Sequence, residues 1–93
     1  ELAVASRRLP IEVPHPGWSE RDAKRVWEMN VEAIREALSS AKVTVEQVAG
    51  VGLTGYGNGV CLVDENGEPT YKAVVSTDER ADDICSEFDR DGG

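Results

Sequence analysis

Ninety-three residues suffice for one small domain and are too few for a two-domain active site. With 40% hydrophobic and 30% charged residues, the composition is that of a globular chain and excludes disorder along its whole length. The net charge of -8, from 18 acidic and 10 basic residues with no basic run longer than Arg7-Arg8, argues against nucleic acid or an anionic membrane as partner.

Leu2-Ala3-Val4-Ala5-Ser6 and the continuation through Arg7, Arg8, Leu9 and Ile11 predict a strand. Such a strand needs a neighbour, and an unpaired edge is prone to associate with another chain. Its ladder is expected from a part of the sheet upstream or from a second copy in a homo-oligomer. Pro10, Pro14, Pro16 and Gly17 forbid regular structure and predict a connection over residues 12–18. His15, lodged between prolines, is expected to be solvated or packed rather than catalytic.

The clearest element comes next. Ser19 predicts an N-cap with Asp22 in the capping-box position, and apolar residues recur at Ala23, Val26, Trp27, Val31, Ile34, Leu38 and Ala41. This is the pattern of an amphipathic helix of about six turns. Its opposite face, with Glu20, Lys24, Glu28, Glu32, Arg35 and Glu36, is expected in solvent while the apolar stripe covers a sheet.

Residues 45–48 read as a turn or a helical remnant. The nearly uncharged run 49–54 then predicts a strand buried on both faces, as in parallel sheets, with Gly50 and Gly52 implying a close approach to its backbone. Two further apolar runs, 60–63 and 71–75, flank the turn cluster 64–69 and predict a hairpin. Thr77 or Asp78 is expected to cap a last helix over 79–88, followed by a polar tail. The order β, α, β, hairpin, α predicts an α/β fold, a mixed sheet with a long covering helix.

Two places could carry binding chemistry. Thr54-Gly55-Tyr56-Gly57-Asn58-Gly59 is a glycine-rich turn at the end of a predicted strand, where ligands of α/β sheets commonly bind. A dinucleotide fingerprint would require a helix directly after the glycines, whereas an extended run follows. The glycines instead leave room for a small polar ligand, with Thr54, Tyr56 and Asn58 as hydrogen-bonding groups. Ser76-Thr77-Asp78-Glu79-Arg80 closes the third run in a comparable position, and Asp78 with Arg80 can hold hydroxyl groups through charge-assisted hydrogen bonds. Cys61 and Cys85 form no CxxC pair, so neither a metal site nor a disulfide is expected, and they read as reduced thiols of a cytoplasmic protein.

Four blocks, in order, carry a resemblance: Pro16-Gly17-Trp18-Ser19-Glu20 before the helix containing Trp27; Val48-Ala49-Gly50-Val51-Gly52-Leu53-Thr54-Gly55; Gly57-Asn58-Gly59-Val60-Cys61-Leu62-Val63-Asp64-Glu65-Asn66-Gly67; and Ala73-Val74-Val75-Ser76-Thr77-Asp78-Glu79-Arg80-Ala81. Over nearly the whole chain the sequence resembles the FGGY family of carbohydrate kinases. The resemblance implies an actin-like, ribonuclease-H-like ATPase fold, of which residues 1–93 form part of the first, sugar-binding domain, as in xylulokinase-like relatives. It further implies a parent enzyme that uses ATP and Mg2+ to phosphorylate a ketopentose or polyol hydroxyl. The DxGT-type phosphate-binding hairpin is expected just before Glu1, and the catalytic aspartate and nucleotide site beyond Gly93. The chain itself is then expected to bind neither ATP nor a metal, to hold no catalytic residue and to be inactive alone.

The resemblance also assigns sugar-facing positions. Gly57 and Asn58 fall where relatives touch the sugar, with Tyr56 beside them, and Asp78 and Arg80 fall in the second block. Gly57 and Ser76 are smaller than the residues usual there, which points away from xylulose or glycerol toward a less usual pentulose or related polyol. From the residues alone, the competing expectation is a small non-enzymatic α/β binding or interaction module.

Overall fold

A computed structural model of the chain describes residues 1–55 and 57–92. Strand β1 (Glu20–Arg21) pairs antiparallel with β2 (Ala73–Val74), with Glu20 opposite Val74 and Arg21 opposite Ala73. Single bridges widen this ladder on both sides, Glu12 opposite Glu20 on one and Val60 opposite Val74 on the other. Each segment is antiparallel to the next, so the described ladder is antiparallel rather than mixed.

The hairpin forms as expected around residues 60–75. Val60 and Val74 exchange both backbone hydrogen bonds at 2.8 Å, and Val63 bridges Pro69. The tip is closed by Asp64, whose carboxylate accepts the N–H groups of Asn66 and Glu68, and by Gly67 at φ 79°, which a glycine adopts without strain.

Helix α1 (Ala23–Ala41) follows the 3.6-residue pattern, but its cap differs from expectation. Asp22, not Ser19, is the N-cap, its carboxylate accepting Arg25 N–H at 3.2 Å. Ser19 lies one turn too early because residues 20–21 pair in the sheet, and its own N–H is taken by Asp78. The helix ends on Lys42 in the left-handed region, φ 56° and ψ 42°, donating to Leu38 and Ser39 carbonyls. Residues Val45–Gln47 form a single 3-10 turn closed by a reciprocal Thr44–Gln47 capping box.

The last helix, α2 (Asp82–Asp91), starts three residues later than expected and is not capped by Thr77 or Asp78. Its N-cap, Ala81, has a methyl group that can accept no capping bond, the Asp78 carboxylate is engaged elsewhere, and Gly92 ends the helix at φ 83°. The polar tail expected from residue 89 onward is helical through Asp91.

Two predicted strands do not form. Residues 2–11 and 49–54 have no ladder partner among the described residues, and a strand exists only through the neighbour that takes its N–H and C=O groups. Leu2 is 82% exposed, and Leu53 is 94% exposed, the reverse of the burial on both faces expected for residues 49–54. Of the helix stripe, Trp27 is 70% and Ile34 57% exposed, while Val26, Val31 and Leu38 are half-buried. A radius of gyration of 18.0 Å, against about 12 Å for a compact chain of this length, shows how little of the apolar surface is enclosed.

Compact packing is confined to one corner. Among the described residues Val75 is the buried apolar one and Glu20 the buried polar one, and they sit beside each other where Val75 N–H meets the Ser19 carbonyl at 3.0 Å. Arg7 ties the amino-terminal segment to α1 through Glu36 at 2.6 Å and Glu32 at 3.4 Å.

Candidate functional site

The corner is built from two segments that meet face to face. In extended backbone, side chains two residues apart share a face, and this places Trp18 and Glu20 on the same side. The facing turn, residues 75–80, is closed by Asp78 N–H on the Val75 carbonyl and locked to Gly17 by Glu79 N–H at 2.6 Å. Gly17, at φ 80°, turns the chain into this contact.

Asp78 and Arg80 lie between the two segments. The Asp78 carboxylate accepts Arg80 Nε at 2.8 Å and Nη2 at 2.7 Å, a bidentate pair, and also the backbone N–H of Arg80 and Ser19, the latter at 2.7 Å. Arg80 Nη2 also donates to Glu20 Oε2 at 2.8 Å, and the guanidinium stacks over the Trp18 ring at 3.9 Å. His15 meets Trp18 edge-on, with centroids 4.6 Å apart, and is otherwise exposed. The Glu20 and Asp78 side chains are 4% and 3% exposed, and that of Arg80 24%.

These contacts decide the charge states. The Arg80 guanidinium, aided by the Ser19 N–H, holds the Asp78 carboxyl well below the usual carboxylate range despite burial. Arg80 is likewise pushed up, chiefly by its bond to Asp78 and then by Glu20. Glu20 is lowered mainly by Arg80 and further by the Tyr71 hydroxyl, against the opposing effect of burial. Both carboxylates are therefore ionised acceptors at neutral pH, unsuited to take a proton as a general base.

The glycine turn is placed by the hairpin register. Because Val60 pairs with Val74 in antiparallel sense, residues 57–59 run off the same end of the ladder as residues 75–77. Gly57 and Asn58 are exposed there, and Asn58 holds φ 64°, a left-handed conformation that asparagine tolerates better than most residues. Tyr56 lies outside the described residues. Among the described residues no hydrogen bond joins Gly57 or Asn58 to Asp78 or Arg80. The structure thus brings Asp78 and Arg80 into direct contact, and sets Gly57 and Asn58 at the same sheet end without a hydrogen bond to them.

Trp18 and Glu20 were not among the sequence-predicted site residues. Their spacing was a usable signal, a W-x-E triplet whose two side chains share one face, set against a D-x-R turn. What sequence alone withheld was that the two segments, about 60 residues apart, meet.

Backbone after the glycines leads into the Val60 bridge rather than into the helix N-terminus that a dinucleotide fingerprint requires. Among the described residues no cluster of His, Cys, Asp or Glu side chains is placed to hold a metal ion, and no helix is long and apolar enough to cross a membrane. Cys61 and Cys85 are free, exposed thiols.

Comparison with known proteins gives a consistent picture. The profile of the FGGY family of carbohydrate kinases, N-terminal domain, matches residues 1–93. An L-xylulose/3-keto-L-gulonate kinase of Escherichia coli is 38% identical over 88 residues, covering 92% of this chain and 18% of its own length. A glycerol kinase of Pseudarthrobacter chlorophenolicus is 41% identical over 81 residues, covering 86% of this chain and 16% of its own. Among solved structures, the xylulose kinase of Rhodospirillum rubrum superposes with a TM-score of 0.83 at 28% identity, over 96% of this chain and 18% of that one. The chain therefore spans less than a fifth of the length of these relatives.

Proposed function

We propose, from the premise that this chain belongs to the FGGY family of carbohydrate kinases, that it is part of the sugar-binding domain of an ATP-dependent kinase acting on a ketopentose or polyol hydroxyl. The chain supplies part of the sugar pocket, and without the remainder of the enzyme it is catalytically inactive. Phosphoryl transfer needs positioned phosphates, a metal and a base. ATP and Mg2+ accordingly belong to residues beyond this chain, in a cytoplasmic enzyme.

The observation that supports this reading best is the Val60–Val74 register, which puts the glycine turn and the 76–80 turn at one end of the ladder. The proposed sugar pocket lies at that end: Gly57 leaves space, Asn58 and Tyr56 are the hydrogen-bonding groups assigned to sugar hydroxyls, and the Asp78–Arg80 pair is the opposite wall. With small residues at Gly57 and Ser76, the favoured substrate is a less usual pentulose or related polyol rather than xylulose or glycerol. The test is ADP release by the full-length protein with a panel of ketopentoses, polyols and ketohexoses. Saturable turnover with a pentulose or polyol is expected, and a folded full-length protein that turns over none of them overturns the proposal.

A further inference from the structure

We propose that Glu20 and Trp18 are positioning residues of the sugar site, holding its 76–80 wall through Arg80; this rests on the sugar-pocket reading above. Neither residue is assigned a role by that reading, and neither lies in the two turns that would face the ligand.

The geometry contains more than a fold contact requires. Asp78 alone satisfies Nε and Nη2 of Arg80 and ties the turn to Ser19. A second carboxylate on the same guanidinium, with only 4% of its side chain exposed, brings a desolvation cost and leaves two negative charges on one positive. What it adds is direction. Asp78 grips the guanidinium from its own turn, and Glu20 grips Nη2 from β1 at 2.8 Å, so the group is anchored to two independent segments. Trp18, two residues before Glu20 on the same face, closes off one side of the guanidinium plane at 3.9 Å.

Held on these sides, Arg80 cannot swing without breaking contacts on β1, and the turn bearing Ser76 and Thr77 is fixed relative to the glycine turn. Binding sites lose affinity when the shell behind the contacting residues is loosened, even if no contacting atom is removed. Trp18 and Glu20 form that shell here. Because the effect concerns one wall of the sugar pocket, it separates sugar affinity from nucleotide affinity.

The test is steady-state kinetics of the full-length enzyme with the sugar it turns over, comparing wild type, Glu20→Ala, Glu20→Gln and Trp18→Phe. Glu20→Ala is expected to raise the sugar KM roughly tenfold, a misplacement effect, with the ATP KM and kcat little changed. Glu20→Gln keeps an acceptor for Nη2 and is expected to restore the sugar KM to within about threefold of wild type. Trp18→Phe, which retains a smaller aromatic face, is expected to fall between them. An unchanged sugar KM in Glu20→Ala, or equal rises in the sugar and ATP KM values, overturns the proposal. Should Glu20→Ala not fold, the glutamine and phenylalanine variants decide by sugar-induced thermal shift, and a wild-type shift in Trp18→Phe counts against it. Wild-type turnover with unchanged sugar KM in the variants defeats this proposal alone, whereas no sugar turnover by wild type defeats the kinase reading and this proposal with it.

Discussion

Replacing Gly17 with alanine probes whether the corner between residues 17–20 and 75–80 is the ordered anchor of the site. Gly17 sits at φ 80°, and its carbonyl accepts Glu79 N–H at 2.6 Å, so the turn cannot relax without releasing that bond. An alanine Cβ would lie 3.5 Å from Glu79 Cβ and Oε2, ordinary contact, so no clash adds to the backbone cost. That cost is about 1–2 kcal/mol for an L-residue in the left-handed region. The reduced entropy of the unfolded chain offsets about 0.4–1 kcal/mol of it. A net destabilisation of about 1 kcal/mol follows, roughly a fivefold fall in the ratio of folded to unfolded protein. Urea unfolding of the full-length protein, with m unchanged, is the assay. Gly67→Ala, at φ 79° with no neighbouring atom, is the matched control and should cost a similar amount. A Gly17→Ala protein as stable as wild type, while Gly67→Ala is destabilised, would refute the account of this corner.

Lys42 ends α1 in the left-handed region that favours glycine, so Lys42→Gly is expected to stabilise the protein by about 1 kcal/mol, seen as a higher urea midpoint. Asp78 and Glu20 are both lowered from ordinary values of 3.8 and 4.5, so their contribution is fully present above those values and is lost as pH falls through the still lower folded-state values. Urea midpoints measured between about pH 5 and pH 2 should therefore drop for wild type, and Asp78→Asn should drop less steeply from a lower starting point.

How much of this was legible in the sequence depends on whether the cause was local. The α1 helix was, because the spacing from Ala23 to Ala41 specifies a helix even where Trp27 and Ile34 remain exposed. The hairpin was too, since Asp64 and Gly67 close its tip with bonds confined to a few residues. The strands at 2–11 and 49–54 were read from composition alone, yet a strand is a property of a pair, and the described residues supply no partner. Capping failed for the same reason. Ser19 has the chemistry of an N-cap, but its N–H is held by Asp78 from 59 residues away, and the helix starts on Asp22 instead. In the site, the D-x-R turn and the glycine turn were visible as residues, while the pairing of Arg80 with Glu20 and Trp18 depended on tertiary contact.

The central claim, that the glycine turn forms half of a sugar pocket, is tested most directly by Asn58→Gly in the full-length enzyme. Asn58 stands at φ 64°, which glycine adopts freely, so the substitution removes the side-chain amide while leaving the backbone at ease. Loss of one hydrogen bond of about 0.5–1.5 kcal/mol predicts a sugar KM roughly two- to twelvefold higher, with the ATP KM unchanged. A sugar KM equal to wild type in a stable, active Asn58→Gly enzyme would contradict the account.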